Sequence, residues 1–210
     1  MKIYAFSGLG ADQRIFKFLD LDCKIIPVLW IDPMENETLE SYADRLSEQI
    51  DITESFGLLG VSFGGMLVSE IVEKLNPKFS ILISSAACKD ELPFMAPIAK
   101  KWNLAQKIPT SWYKPPKWTS YFGFPFHKEH RAVAQGIIED MDPMFVKWAL
   151  GAIVKWRKEK PPKGIHHIHG RWDPILPLKK RMNAEVMGAG HFIILKNCQE
   201  ISARINNLIG

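Results

Sequence analysis

Residues 56–65 read Phe-Gly-Leu-Leu-Gly-Val-Ser-Phe-Gly-Gly, an apolar run that ends in a serine between glycines. The apolar run at 56–61 predicts a buried strand, and the apolar spacing from Met66 to Leu75 predicts a helix that ends before Pro77. A G-x-S-x-G sequence between a strand and a helix is typical of a nucleophile elbow, a tight turn that exposes a serine hydroxyl. The sequence therefore predicts that Ser62 is a nucleophile.

Strand and helix patterns alternate on both sides of this stretch. A short helix is expected after Asp12, and longer ones at 38–50 and about 192–208. Alternating strands and helices predict an α/β fold with three layers, in which helices cover both faces of about six mostly parallel strands. The predicted strands are 2–6, 23–30, 56–61, 79–84, 164–169 and 184–187.

An insertion at 89–163 interrupts this alternation after the fourth strand. It holds five of the seven tryptophans and two helical patterns, one at 127–141 and one that opens at Asp142-Pro143. Aspartate can cap a helix and proline suits its first turn. We expect a single domain over 1–210, with a core at 1–88 and 164–210 and a helical lid at 89–163.

A serine hydroxyl is a weak nucleophile until a base removes its proton. His191 is the candidate base, because it lies between glycines and the last helix, in a loop that follows the last strand. A carboxylate must then hold the imidazole in the correct tautomer. Asp173 follows the fifth strand and is our preferred partner, and Asp90, after the fourth strand, is the alternative.

Backbone N–H groups that could stabilise an oxyanion are expected at two places. The residue after the nucleophile, Phe63, offers one N–H. The loop Ser7-Gly8-Leu9-Gly10 offers the other, from Leu9, if the strand order is 2-1-3-4-5-6 and places this loop beside Ser62. The glycines could instead form a plain turn or a phosphate loop, although a third glycine of G-x-G-x-x-G is missing.

Together these motifs resemble the α/β-hydrolase superfamily, and the likeness covers nearly the whole chain. It rests on residues 7–10, 60–65, 169–173 and 188–192, in that order. The resemblance implies an eight-stranded fold, of which this chain begins at the third strand and lacks the two N-terminal ones. Ser7 stands where many members have a histidine, and the lid around Asp142 and Trp148 resembles that of small bacterial members.

These residues predict a serine hydrolase that cleaves an ester or related acyl bond of a small apolar substrate through an acyl-enzyme on Ser62, with no cofactor. A lyase on the same fold, or a ligand-binding receptor that keeps the triad, is the alternative. Aromatic side chains of the lid could form the wall of an apolar site. The candidates for substrate binding are Trp102, Trp118, Phe122 and Trp148.

The net charge of +4 is unevenly distributed, because residues 89–163 carry 14 Lys and Arg against 7 Asp and Glu. These basic residues are scattered among prolines and tryptophans, without a block or motif typical of nucleic-acid binding. We therefore expect a solvated basic face and no nucleic-acid partner. The pairs His127/His130 and His166/His169 lack acidic or cysteine partners, so no metal site is predicted.

Targeting signals are not expected in this chain. No apolar run approaches the roughly 18 residues of a membrane span, and the first apolar run breaks at Ser7-Gly8 before a secretory signal could form. The cysteines, Cys23, Cys88 and Cys198, are odd in number and far apart. We predict a reduced, cytoplasmic protein.

Overall fold

The computed structural model describes residues 1–116, 128–180 and 182–210, and its centre is a sheet. Every neighbouring pair of strands is parallel, and the spatial order is β2-β1-β3-β4-β5-β6, as expected from the sequence. The strands are β1 (Lys2–Phe6), β2 (Lys24–Pro27), β3 (Phe56–Val61), β4 (Phe79–Ile83), β5 (Ile165–Gly170) and β6 (Glu185–Met187).

Helices cover both faces of the sheet. Short 3-10 helices at Gln13–Phe18, Lys89–Glu91 and Thr110–Tyr113 join them in the connections. The α-helices are α1 (Leu39–Ser47), α2 (Phe63–Leu75), α3 (Ala96–Lys101), α4 (Leu104–Lys107), α5 (Lys128–Asp140), α6 (Pro143–Val154), α7 (Ile193–Lys196) and α8 (Cys198–Ile209).

The hydrophobic core has two parts, one on each face of the sheet. Successive side chains of a strand point to opposite faces, so in β3 the fully buried Leu58 joins one part and Leu59 joins the other. Helices α1 and α2 cover the first part, and α7 and α8 cover the second. This burial on both sides explains why the strands read as continuous apolar runs.

The described residues between β4 and β5 contain several helices. Asp142 caps α6, since its Oδ1 accepts the N–H of Met144 at 2.8 Å, and Pro143 occupies the first turn. Helix α6 packs onto the core through Ala149 and Ala152, and Trp156, just after the helix, joins the same cluster. Residues that follow β1 and β3, such as Gly8 and Ser62, line one cavity together with residues of the insertion.

The predicted final helix at 192–208 differs from the structure, which has two helices. Asn197 takes a non-helical backbone (φ −120°, ψ 33°) between α7 and α8, although the apolar spacing continues across it. Its N–H closes α7 on the carbonyl oxygen of Ile193, and its own carbonyl accepts the N–H of Ile201. The Asn197 side chain makes no capping hydrogen bond, so the break rests on the backbone conformation of Asn197 and on the low helix propensity of asparagine.

Within the described residues, no helix is long and apolar enough to cross a membrane. Cys23, Cys88 and Cys198 are all free thiols.

Candidate active site

Ser62 lies on the turn between β3 and α2, in a backbone conformation that is rare for a residue with a side chain. Its φ is 51° and its ψ is −116°. The turn is held on both sides, because the N–H of Ser62 donates to the carbonyl oxygen of Ile83 at 2.9 Å and its own carbonyl accepts from Ser85 Oγ at 2.6 Å. Strained backbone of this kind occurs where a side chain must be presented at a functional site.

Two glycines make this turn possible. A Cβ on Gly60 would overlap the backbone of Gly65, and a Cβ on Gly64 would overlap the carbonyl oxygen of Phe6. Helix α2 can therefore start directly against β3 and β1 only if both positions lack a side chain. The G-x-S-x-G spacing follows from this close approach of backbone to backbone.

His191 connects Ser62 to a carboxylate. Its Nε2 lies 3.0 Å from Ser62 Oγ, and its Nδ1 lies 2.7 Å from Asp173 Oδ2. A carboxylate only accepts hydrogen bonds, so Nδ1 carries the proton and Nε2 is left to accept the proton of the serine hydroxyl. All three groups are in position for proton transfer from Ser62 to His191.

Asp173 is held in its ionised form at the end of β5. Burial opposes its ionisation, but the hydrogen bond and charge of His191 and the backbone N–H groups of Leu176 and Ile175 outweigh that effect, so the pKa of Asp173 lies below 3.8. The two N–H groups donate to its Oδ1 at 2.8 and 2.9 Å. Its other oxygen stays available to His191.

The alternative carboxylate, Asp90, occupies a different environment. It is exposed in the 3-10 helix Lys89–Glu91, where its carbonyl oxygen accepts a hydrogen bond from Lys179 Nζ at 2.8 Å. His191 Nδ1 donates its hydrogen bond to Asp173 instead. The geometry thus brings together Ser62, His191 and Asp173.

Two further histidines, His169 and His167, adjoin this group, although residue spacing suggested only a metal role, and only for His169. His169 Nε2 donates to the carbonyl oxygen of Leu176 at 2.8 Å and lies 3.4 Å from Asp173 Oδ2. His167 Nε2 lies 3.2 Å from His169 Nδ1. Alternation along β5 could have indicated them, because positions 167 and 169 point to the same buried face while His166 is exposed.

The two predicted N–H donors, Leu9 and Phe63, belong to segments that adjoin Ser62. A Cβ placed on Gly8 would be 3.6 Å from Ser62 Cβ, which puts the loop of Leu9 beside the serine. Phe63 is the first residue of α2, where an N–H has no acceptor within its own helix. The strand order that places β1 next to β3 is what brings this loop to the elbow.

Known proteins resemble this chain in structure and not in sequence. No family model matches the chain, and no curated protein matches its sequence. A thermophilic esterase from Thermogutta terrifontis is similar with a TM-score of 0.66 at 16% identity, over 100% of this chain and 89% of that chain. A hydrolase from Pseudomonas aeruginosa PA01 has a TM-score of 0.70 at 12% identity, over 100% and 89%.

A lipase-esterase related protein from Clostridium acetobutylicum has a TM-score of 0.68 at 17% identity, over 98% of this chain and 93% of that chain. The chain has the α/β-hydrolase fold. The chain order Ser62, Asp173, His191 is also the order of the catalytic groups in α/β-hydrolases. Identities of 12–17% establish the fold and leave the activity to be argued from the site.

The structure has a cavity of about 660 Å³ that Ser62 lines. Pockets of roughly 300–1,000 Å³ are typical of small-molecule sites. The insertion contributes much of the wall, through residues such as Ala96, Ala99, Ile138 and Leu150. Among the described residues that line the cavity, Ser62 and His191 are the only ones with polar side chains.

Two of the tryptophans expected to bind substrate, Trp102 and Trp148, do not line this cavity. Trp102 is 58% exposed and does not line the cavity. Trp148 packs against Tyr42 with 4.5 Å between ring centroids, and its Nε1 donates to the carbonyl oxygen of Glu37. Trp118 and Phe122 lie outside the described residues. The cavity wall is mainly aliphatic, which a count of aromatic residues in the sequence does not reveal.

Proposed function

We propose that this protein is a carboxylesterase-like serine hydrolase that cleaves an ester or related acyl bond through an acyl-enzyme on Ser62. One observation carries the proposal: the hydrogen-bonded series Ser62, His191, Asp173 opens into an apolar cavity at the carboxyl edge of the sheet. Distant structural neighbours described as esterases support the same reaction class.

In the first half of the reaction, His191 Nε2 takes the proton of Ser62 Oγ as that oxygen attacks the acyl carbonyl carbon. Asp173 stabilises the imidazolium that forms. The N–H groups of Leu9 and Phe63 donate to the oxyanion, the role expected of backbone donors beside an elbow. The imidazolium then returns its proton to the leaving alcohol, and the acyl group stays on Ser62.

In the second half, water enters where the alcohol left. His191 removes a proton from the water, and the hydroxyl adds to the acyl carbon. Collapse of the second oxyanion breaks the bond to Ser62 Oγ, which regains its proton from His191. The products are a carboxylic acid and the free enzyme, so neither a metal nor a cofactor is required.

The cavity favours an uncharged, apolar acyl group. Burying an unpaired charge among aliphatic side chains is strongly unfavourable, and the described lining provides no cation to pair with a carboxylate or phosphate of the substrate. The insertion adds only apolar side chains to the described lining. A lyase that moves protons would use a polar group from the lid. The described lining has none, so we propose hydrolysis as the reaction.

The insertion is proposed to cover the active site. Helices α3, α5 and α6 form the roof of the cavity and would act as its lid.

Three free thiols suit a reducing compartment, and we place the protein in the cytoplasm.

A burst experiment with p-nitrophenyl acetate and p-nitrophenyl hexanoate tests the mechanism. We expect a burst of nitrophenol followed by turnover, and mass spectrometry should find the acyl group on Ser62. Ser62→Ala should lose both while keeping its circular dichroism and unfolding curve, and Ser41→Ala, on α1 outside the cavity, should behave as the native chain. A burst that persists in Ser62→Ala would refute the proposal, and acylation without turnover would favour a receptor.

A further inference from the structure

Residues 93–116 of the insertion expose large apolar side chains to an unusual degree. Phe94 is 81% exposed, Trp112 77% and Trp102 58%. Ile98, Leu104 and Ile108 are exposed as well. Single exposed apolar residues are ordinary, but a cluster within one short segment indicates an interaction site. We call Phe94, Ile98, Trp102, Leu104, Ile108 and Trp112 the apolar face.

The arrangement of α3 explains how one segment serves two surfaces. Hydrogen bonds from the N–H of Ala99 to the carbonyl of Met95, and from that of Trp102 to Ile98, give this segment helical spacing. Phe94, Ile98 and Trp102 recur every four residues and so share one side. Met95 and Ala99 are also four residues apart and share a different side of the helix, which lines the cavity. Phe94, Ile98 and Trp102 therefore lie on the outer side of the cavity roof, and the other three residues of the apolar face are exposed on the segment that follows.

The segment that carries the apolar face is also basic. Between residues 92 and 116 the sequence contains four lysines and no aspartate or glutamate. Lys100, Lys101 and Lys107 are exposed on the same helices, α3 and α4. The fourth, Lys114, donates to the carbonyl oxygen of Glu139 at 2.6 Å. The partner of this surface must combine apolar groups with negative charge.

We infer that the apolar face and its three exposed lysines bind an anionic lipid surface. Interfacial protein segments place aromatic and aliphatic side chains at the acyl boundary and lysines at the headgroups. The sequence alone predicts a solvated basic face. It does not reveal that the apolar side chains between these lysines are exposed to solvent, which is the observation that favours a lipid surface.

The aliphatic residues distinguish this partner from a nucleic acid. Aromatic rings can stack on bases and lysines can contact phosphates, but Ile98, Leu104 and Ile108 have no role in either contact. A hydrocarbon boundary accommodates all of them. The inference concerns binding and does not depend on the proposed hydrolysis.

Vesicle cosedimentation of the full chain tests this inference, with Ser62→Ala as the background so that the lipid is not altered. We expect binding to phosphatidylcholine vesicles with 30% phosphatidylglycerol to be at least tenfold tighter than to pure phosphatidylcholine. The emission of the exposed tryptophans should shift to the blue, and brominated lipids should quench it.

Three combined variants separate the contributions. F94S/W102S/W112S should weaken binding at least tenfold on both vesicles, and K100Q/K101Q/K107Q should remove the preference for phosphatidylglycerol. M34S/I52S, which alters two exposed apolar residues outside the insertion, is the matched control and should bind as the background does.

Three results would overturn the inference: no binding to anionic vesicles, equal binding by F94S/W102S/W112S, or equal weakening by M34S/I52S. Two further measurements are made in parallel: light scattering detects self-association, and titration with a single-stranded oligonucleotide detects nucleic-acid binding. Self-association or nucleic-acid binding that the same triple variant abolishes, without vesicle binding, would assign the face to that partner instead.

Discussion

His169 and Asp173 lie side by side at the end of β5, with His169 Nε2 3.4 Å from Asp173 Oδ2. The same nitrogen donates to the carbonyl oxygen of Leu176, whose N–H donates to Asp173 Oδ1. His169 thus stabilises the turn that orients the carboxylate. Burial lowers the pKa of His169, despite the opposing influence of Leu176 and Asp173, which favours its neutral form.

We predict that His169 is a positioning residue for the proposed reaction. His169→Leu removes the hydrogen bond to Leu176 and should lower kcat about tenfold with little change in KM, because the loss of about 1.4 kcal/mol falls on the transition state. His169→Gln can still donate to that carbonyl and should restore most of kcat. Equal kcat values in the two variants would contradict the role.

The two candidate carboxylates can be separated by kinetics. Asp173→Asn should lower kcat by about 10³–10⁴-fold, because His191 would lose the acceptor that keeps Nδ1 protonated. Asp90→Asn, an exposed change of the same chemistry, is the control and should stay within about twofold of the native chain. A large loss in Asp90→Asn would reverse the assignment. Steady-state rates with p-nitrophenyl acetate provide the measurement.

Acid should destabilise the fold through His167. Burial lowers the pKa of His167 to about 3, with a further contribution from His169, whereas the ordinary value is 6.5. Between these values the unfolded chain binds more protons than the folded chain. The free energy of unfolding should therefore fall as the pH drops below 6.5, by up to ~1.4 kcal/mol per pH unit, with no such effect above it.

Urea unfolding at pH 7.5, 6.5 and 5.5 measures this slope. His167→Gln should reduce it to the contribution that remains from His169, whereas His166→Gln, at an exposed position of the same strand, is the matched control and should retain it. An unchanged slope in His167→Gln would mean that another group governs the acid sensitivity.

The elbow should tolerate no side chain at Gly64. Gly64→Ala would press its Cβ on the carbonyl oxygens of Phe6 and Ser7, and we expect a loss of roughly 1–3 kcal/mol in the free energy of unfolding, together with most activity. Gly188→Ala has open space around the new methyl group and should cost less than about 0.5 kcal/mol. Similar unfolding curves for the two variants would show that the elbow can relax.

Filling the cavity should change the preference for acyl chain length. Leu150 of α6 lines the cavity, so Leu150→Trp should slow hydrolysis of p-nitrophenyl hexanoate about tenfold more than that of the acetate. Met144→Trp places the same ring at an exposed position of the same helix and should leave the ratio unchanged. A uniform loss on both esters in Leu150→Trp would indicate a general disturbance.

The elements nearest to the elbow were predictable because their signals are local. The strand at 56–61 agrees with β3 residue for residue, and the stop at Asn76-Pro77 agrees with the end of α2. The aromatic wall was less predictable. Apolar spacing shows that Trp148 faces an interior, but which interior depends on how α6 packs against Tyr42.

The sequence by itself determined the alternation of strands and helices, the elbow around Ser62, and three chemically suitable groups in the order Ser62, Asp173, His191. These follow from local rules: residue period, backbone space at glycine, and the protonation chemistry of each side chain. Only the tertiary structure decided what surrounds them. The contact of His169 with Asp173, the aliphatic cavity and the outward direction of Phe94 and Trp102 arise from packing between segments distant in the chain, which residue spacing does not specify.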